Sequence, residues 1–181
     1  MEPFALLLAS ALAPAIVEVS KALGDLIVKP ALESAGELIK VWLQKPYRQK
    51  ERDLKLKKAI ENALKASGVS VEDEDKLLEW AKRTGLERLT SIPSAALRRQ
   101  LAQAVLFYTD PNAAPPEALI QALRWPRTRA DELRLFLGSL RLQMSGLEEY
   151  RQLLEAVNDV DQRGLLRQVI EELHALSLIH I

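Results

Sequence analysis

The chain has no cysteine, three residues each of Trp, Tyr and Phe, and only seven glycines. Without cysteine there is neither a disulfide framework nor thiolate chemistry, which fits a reducing compartment. Few glycines, and no Asn-Gly or Asp-Gly pair, leave no signal for a tight hairpin. Val, Ile and Thr are scarce beside 34 Leu and 23 Ala. Unbranched residues and Ala keep their rotamer freedom in a helix, whereas β-branched ones favour strands, so the class expected is all-α. An excess of charge of one sign is also missing, since 25 basic side chains meet 25 acidic ones. A nucleic-acid binder normally carries a positive surplus, so nucleic acid is disfavoured as a partner.

The 181 residues suffice for one ordinary core or two small ones. Apolar side chains recur at helical spacing in successive segments, predicting an irregular bundle of about seven to nine helices. The first face runs Leu8, Leu12, Ala15, Ile16, Val19 and Leu23. Pro14 falls inside it and is expected to kink or shorten the helix. Gly24-Asp25 offers a break, leaving open two helices or one kinked rod. Pro46 is expected to open a basic helix carrying Leu56, Ala59, Ile60, Ala63 and Leu64, with Gly68 at its end. Ser70 is expected to cap the next helix, and Gly85 to close it. Pro93 leads into a face of Leu97, Leu101, Ala104, Val105 and Tyr108. Beyond the prolines at 111, 115 and 116, Thr128 with Asp131 reads as a capping box. Residues 158–161 are expected to introduce a last helix with Leu165, Leu166, Val169, Ile170 and Leu173.

The proline-rich loop divides the chain into an N-terminal part, 1–109, and a C-terminal part, 116–175, either as two subdomains or as one bundle. Residues 176–181, Leu-Ser-Leu-Ile-His-Ile, can be encoded by the end of a transposase-type sequencing adapter. Together with the absence of a helix stop after Ala175, this predicts a reading frame truncated there, with 176–181 not native.

No phosphate loop, nucleophile elbow, H-E-x-x-H pair or Gly-rich dinucleotide turn occurs, so no catalytic residue, cofactor or metal is expected in this stretch. Glu171 and His174 have di-iron spacing, yet such a site needs a second copy and further carboxylates. Two surfaces stand out. One is basic: Lys45, Arg48, Lys50, Arg52, Lys55, Lys57 and Lys58, offset only by Glu51 and Asp53. It suits anionic headgroups or phosphates, though a solvated helix face is the plainer reading. The other is the apolar face Leu8, Leu12, Ile16 and Val19, which suits a membrane or a partner. The apolar run 4–17 is shorter than the ~20 residues of a spanning helix. Acidic Glu2 stands where a signal peptide would be positive. Trp42, Trp80 and Trp125 read as core or as interface anchors.

The opening apolar segment, the stretch Ala22-Leu23-Gly24-Asp25-Leu26-Ile27-Val28-Lys29-Pro30, the basic helix after it, and residues 127–142 and 153–173 resemble the N-terminal helical domains of bacterial NACHT-type STAND NTPases. The resemblance implies a non-catalytic regulatory domain in a cytoplasmic signalling or antiviral-defence protein. Its partners would be the downstream NTPase domain and copies of itself. The competing expectation is a membrane-associating effector using the apolar and basic segments.

Overall fold

The structure is a computed structural model describing residues 2–27, 30–45 and 49–179, with side chains through 175. Among the described residues there are ten α-helices and no strand. They are α1 (Phe4–Leu26), α2 (Glu33–Gln44), α3 (Gln49–Ala66), α4 (Glu74–Thr84), α5 (Arg88–Ser91), α6 (Ala95–Leu106), α7 (Glu117–Leu123), α8 (Ala130–Ser145), α9 (Glu148–Gln162) and α10 (Leu166–Ile179). The count exceeds the sequence expectation by one, and α5 is a single turn.

The centre of the bundle is α1. Its buried positions, from Phe4 through Leu8, Leu12 and Ile16 to Leu23, follow the helical repeat and pack against α2, α3, α6 and α10. Pro3 supplies no side-chain cap; instead the Phe4 amide donates to Glu74 Oε1 of α4 at 2.6 Å. A carboxylate at that end also suits the helix dipole. Pro14 does not shorten the helix, which continues to Leu26 through Gly24 and Asp25. Exposure explains the tolerance: the proline ring faces outward and displaces no core contact. A 3-10 turn at Pro30–Leu32 precedes α2, so the first two helices are separate.

Three other boundaries depart from the sequence reading. The N-cap of α4 is Asp73, whose side chain accepts from the Lys76 amide, and not Ser70. Arg127–Arg129 forms a 3-10 turn and α8 starts at Ala130 without a side-chain cap, so Thr128 does not head a capping box. Residues 158–161 lie within α9, and the break comes at Gly164, which has φ 72°. Short polar side chains there read as a turn, but Val157 and Val160 are fully buried and carry the helix on. Pro46 and Arg48 lie outside the described residues.

The loop at 110–115 does not separate two cores. The most extensive packing joins α2 to α9 and α3 to α8, across that loop, and one apolar cluster runs from Phe4 to Leu173. Arg141 ties the halves further. Its guanidinium donates to the Leu106 carbonyl at the end of α6 (3.3 Å) and to Asn158 Oδ1 of α9 (2.7 Å). Burial lowers the pKa of Arg141, with Asp161 opposing that shift.

Candidate functional site

The basic stretch is dispersed by the fold. Lys50, Lys55 and Lys58 stand exposed on the outer side of α3, opposite the buried Leu56, Ala59, Ile60 and Ala63. Exposed Glu51 lies among them, and Lys57 pairs with Glu61 at 3.4 Å one turn on. Lys45 is half-buried just past α2. Arg52 turns inward, its guanidinium carbon 5.1 Å from the centre of the Trp42 ring. What remains is a lysine face of ordinary size for an amphipathic helix.

Leu8, Leu12, Ile16 and Val19 are 1, 1, 0 and 3 % exposed. This face, offered by the sequence to a membrane or a partner, is the bundle core. By length and composition the 23-residue α1 could cross a bilayer, but half of its most apolar window is buried against other helices.

The tryptophans are core residues with satisfied indoles. Trp42 Nε1 donates to the Glu149 carbonyl at 2.5 Å and Trp125 Nε1 to the Arg129 carbonyl at 2.8 Å. Trp80 Nε1 reaches Glu132 Oε2 at 3.4 Å, and its ring meets Trp125 edge-on with centroids 5.6 Å apart.

Around Trp42 lies a polar group that no sequence spacing announces. The Trp42 and Tyr150 rings are 6.2 Å apart, Arg52 covers Trp42, and Ser10 Oγ donates to Asp53 Oδ2 at 3.3 Å. The Tyr150 hydroxyl and Asp53 Oδ1 are buried without a hydrogen-bond partner among the described residues. Burial pushes the Asp53 carboxyl up, and the Ser10 hydrogen bond partly opposes this. Burial likewise pushes the Tyr150 phenol far above its ordinary value. A Ser–Asp pair needs an intervening base to make a nucleophile, and the described histidine, His174, lines a different part of the bundle, between α6, α7 and α10. A small cavity of about 280 Å³ opens beside Arg52, walled by Ala13, Pro14, Val17 and Gln49.

Among the described residues no group of three or more His, Asp or Glu could hold a metal ion. Glu171 and His174 are exposed, and Glu171 instead pairs with Arg167 at 3.4 Å.

A groove of about 630 Å³ lies between α6, α7 and α10. Ala96 from α6, Phe107 just past it, Ala118 from α7 and Ile170 from α10 form much of its apolar surface, while Arg99 and His174 also line it. Arg99, Gln100 and Gln103 lie half-buried or exposed on the side of α6 away from Leu97, Leu101 and Val105. That this half-wet side of α6 shares a groove with Ile170 and His174 of α10, about seventy residues on, is recorded by no local pattern.

Comparison of the chain with protein-family models, with curated proteins and with solved structures returned no match. The class defined by the fold is an all-α multi-helix bundle.

Proposed function

We propose that this bundle is a non-catalytic regulatory and interaction domain of a larger signalling or antiviral-defence NTPase, acting by helix packing and self-association. The observation that carries the reading is the position of α1. One long helix touches α2, α3, α6 and α10 at once, so a displacement of any of them is felt by the others through a close-packed core. Such a strut suits a domain that restrains a neighbour or transmits its state. The resemblance of residues 1–175 to helical domains of NACHT-type proteins names the neighbour as a nucleotide-binding module.

The competing membrane reading would require α1 to leave this core, exposing Leu8, Leu12 and Ile16 together. Truncating one such Leu or Ile to Ala typically costs about 2–5 kcal/mol, so losing all three costs about 6–15 kcal/mol, as much as the whole stability of an ordinary domain.

The coding sequence beyond residue 175 tests the proposal. A phosphate-loop motif after a strand, within about 150 residues, supports it. A stop codon directly after residue 175 overturns it.

A further inference from the structure

The groove between α6, α7 and α10 has a composition that selects a ligand. Its apolar surface comes chiefly from Ala96, Phe107, Pro116, Ala118 and Ile170, and its described polar lining consists of Arg99, Gln100, Gln103, Tyr108 and His174. No carboxylate lines it among the described residues. The groove is therefore mostly apolar, with one guanidinium, Arg99, at its rim.

Its size suits a small molecule: such sites commonly measure roughly 300–1,000 Å³, and about 630 Å³ lies within that range.

Arg99 already shows the required chemistry. Its Nη1 lies 3.1 Å from Glu18 Oε1 of α1, with the side chains 41 and 55 % exposed. The guanidinium is thus held at the rim, open to solvent, and engaged by a carboxylate that a ligand carboxylate can replace or join. Planar guanidinium groups suit this because they offer several donors in a fixed fork.

We propose that the groove binds a small amphipathic monoanion, an apolar chain or ring ending in one carboxylate. The apolar body lies along Phe107, Ala118 and Ile170, and the carboxylate meets Arg99, with His174 on the α10 wall. The inference is independent of the function proposed above.

Isothermal titration of the full chain with decanoate, and with decanol as its neutral counterpart, tests this. One saturable site per chain is expected for decanoate, with decanol binding about tenfold more weakly, in line with the loss of a charge-assisted hydrogen bond. Ala118→Trp places a large ring in the groove from an exposed position of α7 and abolishes binding, its fold checked by circular dichroism. Arg99→Gln weakens decanoate but not decanol. Glu18→Gln removes the competing carboxylate and tightens decanoate about threefold, the scale of an exposed ion pair. Absence of saturable binding, several decanoates per chain, equal affinity for decanol, or indifference to both Ala118→Trp and Arg99→Gln overturns the proposal.

Discussion

Gly85 and Leu123 are in backbone contact: a Cβ added to Gly85 would lie 1.5 Å from the Leu123 carbonyl oxygen. Gly85 ends α4 with φ 80°, and Leu123 ends α7, so two helix termini meet where any side chain would intrude. Gly85→Ala combines this overlap with left-handed strain and is expected to lower stability by about 3–5 kcal/mol. Gly164→Ala is the control. It has φ 72° and nothing within 4 Å, so it should cost about 1 kcal/mol from backbone strain alone. Equal losses for the two variants in urea denaturation would disprove the close approach.

Pro14 sits inside α1 with its ring exposed, and it has no N–H for the Ser10 carbonyl one turn earlier. Pro14→Ala restores that donor without removing a core contact, and is expected to stabilise by about 1–3 kcal/mol. A lower midpoint in the same denaturation experiment would show that α1 needs the proline to fit its neighbours.

Tyr150 is 1 % exposed, and its hydroxyl lacks a partner among the described residues. Deleting an unpaired buried hydroxyl removes a desolvation cost while leaving the ring against Trp42. Tyr150→Phe should therefore be neutral or stabilising by up to about 1 kcal/mol, where removing a bonded hydroxyl would destabilise. A loss beyond about 1 kcal/mol in thermal unfolding would mean the hydroxyl is bonded in solution.

Asp53 is held above its ordinary pKa by burial. The native state then keeps its proton at a pH where the unfolded chain has lost it. This group's contribution to stability falls as pH rises from the unfolded carboxylate range through the folded value, and the penalty is constant above that. Asp53→Asn removes the charge. It should raise the melting temperature by about 2–4 °C at pH 7.5, with the advantage gone at pH 3 where both forms are neutral. An advantage of the same size at both pH values would assign the gain to packing instead.

The helices were legible because their evidence is local. The faces Leu97–Leu101–Ala104–Val105 and Leu133–Phe136–Leu137–Leu140 repeat at the helical period, and all eight residues are buried. Caps were less legible. Ser70 and Asp73 are both good cap residues three positions apart, and only the backbone's extended conformation at Asp73 selects it. The site was least legible. Lys50 and Arg52 belong to one run of charge, yet Lys50 faces water and Arg52 covers Trp42, since two residues turn a helix by about 200°.

From composition and periodicity alone follow the all-α class, most helix positions and the apolar face of each. These depend on interactions within a few residues of chain. The fate of those faces required the folded bundle. Leu8, Leu12, Ile16 and Val19 could have met lipid, a partner or their own chain, and an apolar surface does not specify which. The choice was made by α2, α3, α6 and α10 closing around α1. The same closure leaves a groove beside Arg99, between α6, α7 and α10, with Phe107 half-buried along it.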